Sequence, residues 1–557
     1  MSQDSLLSEI EVMLNGSQAP TGFIEDLLEA TIENSLHLPD MATLVLYDQK
    51  LSWVDDARLA PGKALQVLFR SGKIQHTVFD GEIVEIEPNF DRGIQRLTIR
   101  AFDRMHRLAR GQHARSFMNV SDSDLVRKLA EEVQLSAQVD TTATVHPYVF
   151  QQNESNLTFL QRRAAALGYL LYVQGKTLYC KAPRSTQAAV TLEWGQTLNE
   201  FHPRLTTIEQ IETLEARGWD PAQKQPVVST VSASAGIGLA KTGQPGNGGT
   251  LVQSAFHMST RLLVADRPVR TQAQADQLAR AAANRQAGRF IEAEGSCYGN
   301  PKLVAGVPVS ITKVGQRFSG TYFATSTTHT YSIDGYQTSF TVSGLHPSTL
   351  ASTLVEKDER NVLSGLVIGI VTDNQDPEGY GRVKVKYPWL AEDQSSDWAR
   401  VVTPGGGNKR GLEFLPEVND EVLVGFELGD IQYPYVLGGL WNGRDAIPER
   451  VVEAGQVQKR LLRSRTGHTI TLDDSDSGGG ITIEDKNGNK VVLDSASNKL
   501  SISVKGDASI EAQGNMTLQA TGQLQLKGNG VTIDGGAGNT EVKGLIINIK
   551  GQLINLN

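Results

Sequence analysis

Glycines at positions 506, 514, 522, 530 and 538 recur every eight residues, with short alternations of apolar and polar residues between them. This repeat, within a run from about Ile481 to Asn557, constrains the chain more than any other feature. Gly506 is followed by Ala508 and Ile510, Gly514 by Met516 and Leu518, and Gly522 by Leu524 and Leu526. Alternation at period two places each pair on one face and Ser509, Thr517 and Gln525 on the other. Each rung then holds only two or three core side chains, too few to bury an apolar face alone. Self-similar rungs stack on neighbours, within one chain or between chains wound together, and the product is a stiff rod. Glycine at each corner permits the positive φ of a sharp turn, so Gly506, Gly514, Gly522, Gly530 and Gly538 are the expected structural repeat. The phase slips between Gly528 and Asp534, where Val531 and Ile533 carry the pattern, so the shaft is expected to change near residue 530. The alternative is an ordinary antiparallel meander whose glycine spacing is coincidental.

At 557 residues the chain exceeds one hydrophobic core, and three or more domains are expected. Its 54 glycines exceed the usual share of about 7% and fit many turns between short strands. A net charge of −9 argues against a general nucleic-acid binder. The two cysteines, Cys180 and Cys297, cannot build a disulfide framework or a four-ligand zinc site. The opening MSQDSLLSEIEVML has no basic n-region, and no stretch reaches the ~20 apolar residues of a membrane span. Synthesis in the cytoplasm without a signal peptide is expected, with any export by a non-classical route.

Residues 1–115 read as strands (MATLVLYD, KALQVLFR, HTVFDGEIVEIEP, QRLTIRAFD) separated by Gly, Pro and Asp turns. A helix capped at Ser121 or Ser123 runs through DLVRKLAEEV. A second, from Asn153 or Ser155, continues through LTFLQRRAAALG with Gly168 as its C-cap. Strands YLLYVQG and TLYCKA follow. Residues 223–250 are small, polar and Gly/Pro-rich and read as a flexible loop. A long helix is expected over about 271–288, then strands to about Gly344. After the charged connector EKDERN, five short strands between 363 and 443 suit a small closed barrel of OB type. The expected division is a hub region 1–355 (strand-rich 1–115, mixed 116–222, loop 223–250, mixed 251–355), a barrel 356–443, a linker 444–465 and a rod 466–557.

Chemistry-bearing patterns are sparse. Arg382, Lys384 and Lys386 alternate with Val383, Val385 and Tyr387, near Trp389, which resembles a strand that stacks nucleic-acid bases. A solvated face whose valines fill the barrel, or a protein-docking face, is favoured. PGGGNKRG (404–411) lacks the spacing of a phosphate-binding loop and is not followed by a helix. Asp473, Asp474 and Asp476 match neither calcium-loop spacing and read as a solvated turn. His113, His329 and His468 have no metal partner at ligand spacing, and Cys297 has no local His and Asp signature of a nucleophile. No catalytic, cofactor-binding or metal residue is therefore assigned. Leu545, Ile547, Ile549, Leu553, Ile554 and Leu556 are unusually apolar for a rod end. They suggest a covering partner, with closure of the rod's own core as the alternative.

Four separate segments resemble one family. NESNLTFLQRRAAALGYLLYV (153–173), and AEGSCYGNPKLVAGVPVSI, FSGTYFATSTTHTYS and GYQTSFTVSG (293–344), resemble the late-control and VgrG family of tail-hub proteins. IVTDNQDPEGYGRVKVKYPWL, WARVVTP, FLPEVNDEVLVGFE and PYVLGGLWNG look like the OB module of contractile-tail spikes. TGHTITLDDSDSGGGITIEDKNGNKVVLD (466–494) resembles the VgrG lead into its β-helix. The resemblance follows the family's domain order and implies a mainly β, multi-domain chain with barrel-like hub domains, an OB barrel and an intertwined trimeric β-helix. It further implies a homotrimer that joins a tail tube and baseplate components to a membrane-piercing tip with a PAAR-type cap. Such a protein belongs to a phage tail-like particle or secretion apparatus and is delivered outward or into a target cell. The chain carries no His-x-His near its end, so the apical iron site of some phage spikes is not supported. Neither a lysozyme insertion nor an enzymatic role is expected. A β-helical glycan- or peptidoglycan-degrading enzyme, or a receptor-binding fibre, are the competing classes. The first needs a groove of clustered carboxylates or basic residues, where the octads offer Ala, Gln, Thr and Asn. The second needs an adhesive head after the rod.

Overall fold

Strict alternation along the early strands sets one face on a core. In Met41–Tyr47 the side chains of Ala42, Leu44 and Leu46 are fully buried between half-exposed neighbours. Leu65, Val67 and Phe69 repeat the pattern in Ala64–Ser71. A computed structural model describes residues 8–555 except 73, 92, 94, 184–187, 236–239, 245, 345–362, 364 and 477. The chain is mostly β and divides into two compact units, Met1–Arg444 and Asp445–Asn557. The connector EKDERN and the expected boundary at 355/356 lie outside the described residues.

In the first unit an eleven-stranded sheet unites distant parts of the chain. Its order is Leu198–Leu205, Ile291–Tyr298, Gly335–Val342, Ser326–Ser332, Leu27–Ser35, Met41–Tyr47, Gln95–Asp103, Ile74–Phe90, Ala64–Ser71, Ser8–Leu14 and Ser17–Gln18. The join is the antiparallel pairing of Leu27–Ser35 with Ser326–Ser332.

The helices start where their caps dictate. Ser121 accepts from the Asp124 amide at 3.2 Å and opens Asp122–Glu132. Ser155 accepts from the Thr158 amide at 3.1 Å and opens Asn156–Leu167, which Gly168 ends at φ 69°. A side chain at Gly168 would be strained by that φ and would lie 3.2 Å from the Ala281 backbone. Gln272–Gly288 begins at a Thr271/Gln274 capping box. Its buried alanines, among them Ala275 and Ala279, let it lie close on strands Thr213–Asp220 and Gln225–Ser232.

Two expected loops carry structure. Within 223–250 the β-branched PVVSTVS forms strand Gln225–Ser232 against Thr213–Asp220, Ala240–Thr242 is a second strand, and Asn247 caps helix Gly248–Phe256. Composition suggested a loop there because the small polar residues hide a period-two strand. The expected linker 444–465 holds the hairpin Val452–Glu453/Gln456–Val457 and the strand Lys459–Arg463.

Strands Val367–Asp373, Arg382–Lys386, Ala399–Val401, Glu421–Phe426 and Pro434–Gly439 close a five-stranded barrel. Its core of Val371, Val383, Val385, Val422, Val424 and Val436 is completed by Tyr148 and Phe150 from the hub strand Val145–Glu154. Arg270 pins the same junction: its guanidinium donates to Glu427 at 2.7 Å and lies 4.4 Å from the Tyr433 ring centre.

The second unit is an antiparallel five-stranded meander: Lys459–Arg463, Thr469–Asp473, Gly480–Glu484, Lys490–Asp494 and Lys499–Ser503. The run expected as octad rungs from Ile481 is therefore a hairpin sheet as far as Ser503. Its turns are built locally: Asp485 accepts from the Asn487 and Asn489 amides at 2.9 Å, and Gly488 takes φ 84°. From 504 to 555 no strand is found among the described residues.

Candidate assembly surface

The meander has one aliphatic face and one mixed, mostly polar face. Antiparallel register aligns Leu462, Ile470, Ile483, Val491 and Ile502 in one row. Leu472, Ile481, Leu493 and Leu500 form the adjacent row on the same side. Eight of these nine side chains are 38–65% exposed, and Val491 is intermediate. The opposite face carries Leu461, Thr471, Thr482, Val492 and Ser501, flanked by Lys459, Asp473, Glu484, Lys490, Asp494 and Lys499. No described residue of Asp445–Asn557 is buried. A sheet this apolar on one side and without a core is unusual for an isolated soluble chain.

The octads continue the theme without a ladder. Ile510, Leu518, Leu524, Leu526 and Ile533 are 56–77% exposed, and Met516 is half exposed. A side chain added at Gly506, Gly514, Gly522 or Gly530 would meet nothing within 4 Å, and at Gly538 only the Gly535 carbonyl at 3.4 Å. None of these five glycines has the positive φ expected of a corner. The left-handed glycine is Gly536, at φ 57°, in a turn where Asp534 accepts its amide at 2.8 Å and the Gly538 amide donates to Gly535. The octad positions thus meet no crowding or backbone demand within one chain. Toward the C-terminus Leu545, Ile547, Ile549, Leu553 and Ile554 are 47–108% exposed, as is Ile546, which the alternation did not single out. Leu556 lies outside the described residues.

The other patterns resolve into structural roles. Arg382 forks onto Asp376 at 2.6 and 2.9 Å, and this pairing holds the Asp376 carboxyl far below the usual range. Arg382 and Lys384 lie over the Trp398 ring, while Val383 and Val385 are fully buried. The basic strand is therefore partly neutralised and stacked. The loop 404–411 is closed by backbone bonds between Gly407 and Arg410, which occupies amides that a phosphate would need. Asp473 is tied to the Ser475 amide, and Asp474 pairs with Arg460. Burial pushes the Cys180 and Cys297 thiols up to about 12 and the His329 imidazole down to about 3. Among the described residues no group of three His, Cys, Asp or Glu could hold a metal ion.

A cavity of about 310 Å³ lies where the strand Val145–Glu154, the helices Asn156–Leu167 and Gln272–Gly288, and the barrel meet. It is rich in arginine, but each guanidinium has a carboxylate: Arg162 with Glu154, Arg163 with Asp122, Arg267 with Asp266 and Arg270 with Glu427. His146 joins the Asp122 pair at 3.0 Å. No local pattern marks this junction, because its residues come from four separated segments.

Residues 4–332 match the family model described as the Alg8 N-terminal domain, and residues 367–441 match the type VI secretion system/phage-baseplate injector OB domain. The type VI secretion system spike protein VgrG5 of Pseudomonas aeruginosa is 32% identical over 135 residues, 23% of this chain and 16% of that protein. VgrG3 of Vibrio cholerae is 31% identical over 93 residues, 16% of this chain and 9% of that protein. The matched stretch thus spans less than a fifth of these curated relatives. A chain of the lidded Francisella PdpA–VgrG complex shares the fold at TM-score 0.54 and 8% identity, covering 90% of this chain and 80% of that one. In the lidless PdpA–VgrG complex the values are 0.52 and 9%, with 90% and 100% covered. With its N-terminal half matched throughout by one family and its barrel by a second, the chain belongs to the Alg8 N-terminal domain family and is similar to VgrG spike proteins.

Proposed function

We propose that three copies of this chain form the hub and spike of a contractile injection device. The hub joins the tail tube to baseplate components, and the rod carries a membrane-piercing tip capped by a PAAR-type protein. The observation that carries this reading is the uncovered apolar face of the second unit. Burying the exposed half of each aliphatic side chain is worth about 1 kcal/mol, and a unit without a core has no other source of such stabilisation. The octad glycines support the same arrangement, since the open space around them suits the close approach of another backbone. The exposed tip aliphatics favour a cap. The role is mechanical: a stiff rod concentrates the contraction at a narrow end, and the assembly delivers that end outward into a target cell. Sedimentation velocity on the full-length protein tests the assembly. A species of three times the chain mass is expected, and a monomer at micromolar concentration refutes the reading.

A further inference from the structure

We infer that the apolar face of the sheet Lys459–Ser503 is the surface on which three copies of the chain fix the register of their octad rungs. The inference rests on the trimeric reading above and adds what decides the alignment of the chains.

The octads cannot decide it themselves. The pairs Met516/Leu518 and Leu524/Leu526 are apolar, similar in volume and eight residues apart. Within the regular stretch Gly506–Leu526, sliding one chain by eight residues sets one pair where the other was and forfeits only an end rung of that stretch. A repeat is weakly specified against such a slip. Nor does a single chain pre-pair these rungs, since no described strand follows Ser503. Their alignment is chosen when chains meet.

The sheet upstream has the opposite properties. Its four hairpin pairings are complete within one chain, in continuous register. Its contacts are local, and such structure forms early. Its apolar face does not repeat along the chain. One row ends in Leu462, while the row beside it ends in Arg460, opposite Leu472 and paired with Asp474. A face with two unequal rows docks one way. The occupant is the same face of another copy: apart from Arg460 at its edge, the face carries no charge, so an apolar sheet is the matching surface. The chain's own octads begin directly after the last strand and present apolar residues of the same kind. A second copy covers both in continuity.

The test mixes chains of two lengths. Full-length protein is co-produced with a chain lacking Asn515–Gly522, one octad that lies outside the sheet. In one experiment both chains carry Ile510→Cys, upstream of the deletion; in another both carry Ile533→Cys, downstream. The native Cys180 and Cys297 are buried and stay out of the reaction. A register set by the sheet predicts Ile510→Cys cross-links between long and short chains at the yield seen in unmixed trimers. It also predicts at least a tenfold lower mixed yield for Ile533→Cys. The reverse pattern places the register at the tip and overturns the inference. Long and short chains that each trimerise but refuse to mix overturn it too, because alignment by the sheet tolerates unequal rods. A monomeric full-length protein would instead remove the trimeric reading on which all of this rests.

Discussion

Replacing Ile483 with aspartate separates a covered sheet face from one that merely faces water. Ile483 sits mid-row between Ile470 and Val491 and is 50% exposed in the single chain. If other copies cover it, the change forfeits about 1 kcal/mol of apolar burial. It also places a carboxylate among aliphatic side chains, which costs about 2 kcal/mol more even when it is protonated. About 3 kcal/mol per chain is about 9 kcal/mol per trimer, and at 1.4 kcal/mol per decade that weakens association by about six orders of magnitude. A trimer stable at micromolar concentration would fall apart. If the face simply meets solvent, the substitution is worth about 0.5 kcal/mol or less and leaves the assembly alone. Sedimentation velocity of the full-length Ile483→Asp protein reads the difference, with Thr482→Asp on the opposite face as the matched control. An Ile483→Asp protein that remains trimeric beside its control would refute the reasoning.

Ile547→Asp together with Ile549→Asp should abolish binding of a PAAR-type cap while the hub melts unchanged; undiminished capping in a pull-down with purified cap protein would count against an apolar tip contact. Burial pushes the Asp40 carboxyl up to about 7, and the same cause with the nearby Asp40 charge raises Asp103. Between about pH 4 and pH 7 the folded Asp40 keeps a proton that the unfolded chain has lost, so this group's contribution makes Met1–Arg444 less stable as pH rises, by about 1.4 kcal/mol per unit. Asp40→Asn should flatten that slope in urea titrations across the range, and an unaltered slope would exclude Asp40 as its source. Arg270→Ala removes the ion pair to Glu427 and the stacking on Tyr433, a loss of about 2 kcal/mol for a half-buried pair. A lower urea midpoint with an unchanged oligomeric mass is the expected signature.

Much of the hub and barrel was legible because its signals are local. Ser121, Ser155 and Gly168 announce helix ends through bonds that reach only three or four residues. The five barrel strands alternate clearly between turn residues. The rod was harder. Residues 481–503 and 506–526 share the same period-two alternation, yet one forms hairpins within the chain and the other pairs with nothing in it. Alternation reports which side chains share a face; it does not name the strand that accepts the hydrogen bonds. For the same reason the glycines at 506, 514, 522 and 530 were read as corners needing positive φ, whereas only their open surroundings are seen in the chain.

The sequence by itself determined the element types, the helix caps, the barrel and the existence of a repeat too thin to bury itself. Only the tertiary structure decided that distant strands close one eleven-stranded sheet, that Tyr148 and Phe150 finish the barrel core, and that nine aliphatic side chains of the second unit align on one uncovered face. The physical reason is range. Propensity, capping and alternation act over a few residues and are written in order along the chain, while sheet order, shared cores and uncovered faces depend on which segments meet in space.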